Sequence, residues 1–93
     1  MPQIGMWKVE KVRQCILPPK AASAFATVTG GLKGAEYEPV LYVGSKEDDG
    51  TDYCIIAVQT LITASSPKRF VRMVIKDGQD GQVTLVSVRG LSI

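Results

Sequence analysis

Residues 51–63 read TDYCIIAVQTLIT, and this stretch has the strongest strand signal in the chain. Its large apolar side chains occupy both parities of the two-residue strand period: Tyr53, Ile55, Ile56, Val58, Leu61 and Ile62. A strand that is apolar on both faces is typical of a central position in a sheet. We therefore expect residues 51–63 to form a central strand that a helix covers on one face.

The residues before this stretch predict a second strand and a hairpin. Glu36 to Val43 has the alternation of a strand. Pro39 interrupts it, and because proline lacks the N–H that a ladder needs, we expect an edge or a bulge there. Residues 44–50, GSKEDDG, are polar with glycine at both ends and predict the turn of a hairpin.

The residues after the central stretch predict two more strands. Residues 70–76 alternate cleanly between two faces. The apolar residues that share one face are Val71, Met73 and Ile75. Asp77 and Gly78 begin a tight turn, and a last strand is expected from Gln82 to about Arg89. The four strands together predict an antiparallel meander.

A single helix is predicted before the first of these strands. Pro18 and Pro19 favour a helix start, because proline fits the first helical turn and disfavours helical geometry in the residue before it. Residues 20–29 are rich in alanine, and Gly30 and Gly31 supply an end. The apolar residues close to one helix face are Ala21, Phe25, Val28 and Leu32. One helix followed by strands predicts an α+β fold, with the helix packed across a four- to five-stranded antiparallel sheet.

The N-terminal residues predict less regular structure. Residues 1–5 are expected to be a flexible arm of a single domain that spans residues 1–93. Met6 to Val9 has the pattern of a short strand, whereas residues 10–17 fit both extended and helical spacing.

Length and composition restrict the class of protein. The 93 residues are 45% hydrophobic and 22% charged, as expected of one compact domain with a modest core. The net charge of +2 is too small for a dedicated nucleic-acid-binding protein, so nucleic acid is not an expected partner. The chain has no histidine, which excludes histidine-based catalysis and histidine metal ligands. Because paired-carboxylate and phosphate-loop motifs are also missing, we expect a protein that is not an enzyme and needs no cofactor or metal.

Cys15 and Cys54 lie 39 positions apart, unlike a redox pair. They are either free thiols or one disulfide, and the apolar run around Cys54 favours a free thiol packed in the core. The sequence contains no segment typical of a signal peptide or a membrane span. We therefore expect a cytoplasmic protein without membrane association.

The order of the predicted elements and three short segments resemble the cystatin family of cysteine-protease inhibitors. The segments are residues 24–40, AFATVTGGLKGAEYEPV, residues 50–53, GTDY, and the N-terminal glycine Gly5. The resemblance covers roughly residues 5–76. It implies a helix wrapped by an antiparallel sheet and reversible inhibition of papain-like cysteine proteases. The family inhibits with a wedge of three parts, namely an N-terminal arm, a first hairpin loop and a second hairpin.

The resemblance assigns the protease contact to particular residues. Ile4 and Gly5 match the arm. The first loop aligns with Lys46, Glu47, Asp48, Asp49 and Gly50. Gly50 keeps the family's residue, whereas Lys46 stands where glutamine is expected and Asp48 where valine is expected. Because burial of an unpaired carboxylate is costly, the acidic loop implies weaker inhibition than the family pattern.

A second interpretation stays open beside inhibition. A cystatin-like domain that has lost inhibition would act as an interaction module for another protein, because a fold does not fix a function. Its outer sheet face is the candidate surface, and the main basic cluster consists of Lys68, Arg69, Arg72 and Lys76. The protein is expected to be a monomer, and opening of residues 46–50 as a hinge would permit a domain-swapped dimer.

Overall fold

A computed structural model describes residues 15–91, which form one helix and four strands. The elements are α1 (Pro19–Gly30), β1 (Ala35–Glu47), β2 (Gly50–Leu61), β3 (Lys68–Gly78) and β4 (Val83–Gly90). The strands form one antiparallel sheet in the order β1-β2-β3-β4. The predicted α+β meander is confirmed, and the central strand predicted over residues 51–63 runs from Gly50 to Leu61. The predicted arm at 1–5 and short strand at 6–9 lie outside the described residues.

Helix α1 begins where the two prolines predict it. Pro18 has an extended backbone with φ −54° and ψ 149°, and Pro19 lies in the first turn. The carbonyl of Pro18 accepts the N–H of Ala22 at 2.8 Å, so the helix starts without a capping side chain. At the other end, the N–H of Gly31 donates to the carbonyl of Val28 at 3.1 Å. No helix in residues 15–91 is long and apolar enough to cross a membrane.

The core lies between α1 and one face of the sheet. The helix contributes Ala21, Ala24, Phe25 and Val28, and the two central strands contribute Tyr53, Ile55, Ala57, Val71, Met73 and Ile75. Val71, Met73 and Ile75 are fully buried, which confirms the face predicted from their alternation. Burial of each large side chain contributes roughly 1.5–3 kcal/mol, so this one face accounts for much of the hydrophobic stabilisation.

Strand β1 extends further than the sequence predicted. It continues to Glu47, so that the turn expected over residues 44–50 shortens to Asp48 and Asp49. Its register with β2 shifts twice, between Pro39 and Leu41 and again before Gly44. These bulges let an edge strand continue past a residue without an N–H donor, which confirms the irregularity expected at Pro39.

The sheet face opposite α1, which we call the open face, has no covering element among residues 15–91. Its central residues are Leu41, Val43, Cys54, Ile56, Phe70, Arg72, Val74, Lys76, Ser87 and Arg89. The prediction that Cys54 packs in the core is wrong, because the inward direction of Ile55 turns its neighbour to the open face, where Cys54 is half-buried. Both cysteines are free thiols, as the sequence favoured.

Candidate functional site

Both hairpin tips of the meander lie at one end of the sheet. The β1–β2 turn is at Asp48 and Asp49, and the β3–β4 turn is at residues 79–82. Antiparallel pairing of the strands between them sets Gly50 opposite Gly78, which brings the two tips side by side. We call residues 46–50 and 77–82 together the two-hairpin end.

The first hairpin closes with a tip of two residues. Asp49 has a φ of 57°, in the left-handed region that aspartate tolerates better than most residues. The N–H of Asp48 donates to the carbonyl of Gly50 at 3.0 Å. The hydroxyl of Thr51 donates to the carboxylate of Glu47, with oxygens 3.2 Å apart. The acidic side chains of the tip are all exposed and project from the sheet.

The first hairpin packs directly against the backbone of β3 at Gly50. Its φ is 121°, which side-chain-bearing residues rarely adopt. A Cβ at this position would lie 2.5 Å from the carbonyl oxygen of Asp77 and 2.9 Å from the Cα of Gly78. Both are backbone atoms, which move aside only if the strand shifts. The packing of the two hairpins therefore requires glycine at position 50.

The second hairpin is closed by backbone and side-chain hydrogen bonds. The N–H of Gly78 donates to the carbonyl of Gln82 at 2.8 Å, and the N–H of Gly81 donates to the carbonyl of Gly78 at 3.0 Å. The N–H of Gln82 also donates to Oδ1 of Asp80 at 3.0 Å. This carboxylate holds the loop in shape, which explains an acidic residue at the second tip.

Lys76 on β3 ties the first hairpin to the sheet. Its Nζ donates to the backbone carbonyl of Asp48 and lies 3.3 Å from Oδ1 of Asp52. The second contact is within ion-pair distance but outside hydrogen-bond geometry, so Oδ1 has no hydrogen-bond donor among residues 15–91. Asp52 is only 6% exposed, and the positive charge of Lys76 offsets part of the cost of burying it.

The charges of the two-hairpin end are mainly acidic. Its carboxylates are Glu47, Asp48, Asp49, Asp77 and Asp80. Two of them, Asp77 and Glu47, act on Tyr53, whose side chain is part of the adjacent core. Burial raises the pKa of Tyr53 above its ordinary value of 10.0, and electrostatic interactions with Asp77, Tyr42 and Glu47 raise it further.

A groove of about 360 Å³ separates the two tips. It is lined by Gly78 and by six residues with polar side chains, which are Asp49, Lys76, Gln79, Asp80, Gln82 and Thr84. In the described part of the chain, no group of three histidine, cysteine, aspartate or glutamate residues is placed to hold a metal ion. The arrangement offers two protruding loops and a shallow polar surface, which suits contact with another macromolecule.

The structure brings five of the predicted contact residues together on one hairpin: Lys46, Glu47, Asp48, Asp49 and Gly50. Ile4 and Gly5, the predicted arm, lie outside the described residues. Sequence reasoning missed the link from Lys76 to the first tip. The signal for it was the opposite charge of Asp52 and Lys76, which become cross-strand neighbours once Tyr53 pairs with Ile75.

The predicted basic cluster is divided between the two faces of the sheet. Arg69 lies on the helix side, where its Nε donates to Gln59 Oε1 at 2.7 Å. The amide of Gln59 in turn donates to the hydroxyl of Tyr37 at 2.8 Å. Lys68, Arg72 and Lys76 lie on the opposite side, because they alternate with the inward residues of β3.

Comparisons of the chain with protein families, with curated proteins and with solved structures found no match. The similarity to cystatins therefore stays a prediction that depends on the quoted segments and on the order of the elements.

Proposed function

We propose that this chain is a reversible inhibitor of papain-like cysteine proteases that inserts its two-hairpin end into the active-site cleft. The observation that supports this most is the placement of both hairpin tips at one end of the sheet, with Gly50 opposite Gly78. In the cystatin resemblance these tips are two of the three parts of the wedge. Ile4 and Gly5 would supply the third.

The internal contacts of the first tip favour binding as a preformed wedge. Lys76 donates a hydrogen bond to the carbonyl of Asp48, and Gly50 packs on the backbone of β3. A loop that is held in one conformation loses little entropy when it enters a cleft, so more of the contact energy appears as affinity.

The acidic tip limits the affinity that this wedge reaches. Asp48 and Asp49 are exposed and would lose water on entering a narrow cleft. If each partly desolvated carboxylate costs about 2 kcal/mol, the two reduce affinity by roughly a thousandfold. We therefore expect micromolar inhibition from the native chain.

The test is a titration of active papain with this protein while peptide hydrolysis is followed. The comparison variant is K46Q/E47V/D48V/D49G, which restores the apolar character of the family loop. Glycine is used at position 49 because the φ of 57° there strains most other residues. The variant removes three carboxylates, and the loss of those of Asp48 and Asp49 at the tip should by itself tighten inhibition by at least about a hundredfold.

The matched control is E36Q/E38Q, which removes two exposed carboxylates from β1 at the far end of the sheet. An equal gain from this control would mean that net charge and not tip contact decides the affinity. The proposal is also overturned if neither the native chain nor the loop variant inhibits.

The second candidate function is a non-inhibitory module that binds an unidentified protein. The specific observation in its favour is the pair of exposed carboxylates at Asp48 and Asp49, since these are poorly suited to a narrow apolar cleft. Inhibition by the loop variant but not by the native chain would favour this candidate, because the scaffold would then be competent while its own loop is not.

A further inference from the structure

The open face presents apolar side chains that no element of residues 15–91 covers. Leu41 is 55% exposed and Val43 is 57% exposed, although both belong to a strand. Beside them lies a groove of about 440 Å³, lined in part by Cys54, Arg72 and Val74. An aliphatic surface of this kind, rimmed by polar residues, is typical of a protein-binding region.

Two arginines make the β3–β4 side of this face basic. The register pairs Arg72 directly with Arg89, and both are exposed. Lys76 lies on the same face but is already engaged with Asp52, so the basic character of this side comes from Arg72 and Arg89. Like charges directly opposite each other on neighbouring strands destabilise a sheet, so the Arg72–Arg89 pair is a cost that a negatively charged partner would relieve.

We infer that the open face binds a protein segment in which apolar residues alternate with carboxylates. The apolar residues would lie on Leu41, Val43 and the groove, and the carboxylates would accept hydrogen bonds from Arg72 and Arg89. Guanidinium groups suit this role because each presents paired donors to a carboxylate. The groove reaches the two-hairpin end at Lys46, but Leu41, Arg72 and Arg89 lie outside that end, so the inference does not depend on protease inhibition.

Charge argues against the other occupants of the face. Residues 1–14 of the chain carry three basic residues against one acidic residue, so they match a basic surface poorly. A second copy stacked with like strands over each other would bring the same arginines together, and the sedimentation measurement below tests the other arrangement. Nucleic acid is disfavoured because Glu36 and Glu38 border the β1 side, and because the exposed apolar residues Leu41 and Val43 are aliphatic, whereas bases stack on exposed aromatic side chains.

The experiment measures binding of a fluorescein-labelled octapeptide of alternating leucine and glutamate to the full chain by fluorescence anisotropy. We expect a Kd below about 500 µM at about 50 mM NaCl, and a Kd roughly tenfold higher at about 300 mM NaCl because salt screens the exposed arginines. The double variant R72E/R89E should raise the Kd by at least about tenfold. An alternating serine–glutamate peptide should bind more weakly, since it lacks the apolar contact.

The matched control variant is K20E/K33E, which makes the same change in net charge at two exposed lysines away from the open face. It should change the Kd by less than about twofold. The inference is overturned if the native chain does not bind the peptide, or if the control variant weakens binding as much as R72E/R89E does. It is also overturned if a leucine–lysine peptide or a single-stranded oligonucleotide binds as tightly, or if sedimentation shows a dimer of the chain that R72E/R89E dissociates.

Discussion

The cystatin resemblance assigns Gly50 to protease contact, but the geometry of the sheet also requires glycine at this position. Its φ of 121° and the 2.5 Å approach of a Cβ to the Asp77 carbonyl both exclude a side chain. We expect G50A to lower the free energy of unfolding by about 2–4 kcal/mol, since it combines backbone strain with a steric clash. Urea unfolding followed by circular dichroism measures this loss.

The control for this residue is G34A. Gly34 also has a positive φ, of 86°, but a Cβ there meets no atom within 4 Å. It therefore reports backbone strain alone, and we expect about 1 kcal/mol. Equal losses for the two variants would show that the packing of the first hairpin on β3 contributes nothing.

At the scale of helices and strands, the sequence predicts the features that depend on residues close together in the chain. Paired prolines and paired glycines bound α1 within a residue, and the alternation at 70–76 identifies the inward face of β3. It does not predict the extension of β1 to Glu47. That extension depends on pairing with β2, because polar residues 44–47 gain ladder hydrogen bonds only when the partner strand is in place. The contact of Lys76 with Asp52 could not be predicted for the same reason, because the two residues become neighbours only when β2 and β3 pair.

The anchor between β3 and the first hairpin is testable by a double-mutant cycle. K76M removes the charge that faces Asp52 and the donor to the Asp48 carbonyl, leaving a carboxylate that is 6% exposed without its partner. We expect a loss of about 3 kcal/mol in the free energy of unfolding. The double variant D52N/K76M should recover part of it, because no buried charge is left unpaired. If the loss in D52N/K76M equals the sum of the losses in D52N and K76M, each measured by urea unfolding, the two side chains do not interact.

For the whole molecule, the two proposed surfaces adjoin each other and carry different charge. The two-hairpin end is acidic, whereas the β3–β4 side of the open face is basic. A net charge of +2 conceals this separation, since composition reports the sum and not the position of the charges. The basic cluster predicted from the sequence was only partly right. Arg69 lies on the helix side of the sheet, whereas Arg89 on β4 lies on the open face beside Arg72.

The stability of the whole domain should depend on alkaline pH through Tyr53. Burial raises the pKa of this phenol above 10.0, and the nearby Asp77, Tyr42 and Glu47 raise it further. The folded chain therefore holds the proton at pH values where the unfolded chain loses it. The resulting stabilisation is complete below pH 10 and is lost as the pH rises through the folded-state pKa.

We expect the free energy of unfolding of the native chain to fall relative to that of Y53F as the pH rises above 10, as measured by urea unfolding at each pH. The difference between the two chains isolates Tyr53, because every other ionisable group is common to both. A difference that stays constant across this range would show that the phenol ionises equally in the folded and unfolded states, and that neither burial nor the acidic two-hairpin end acts on it.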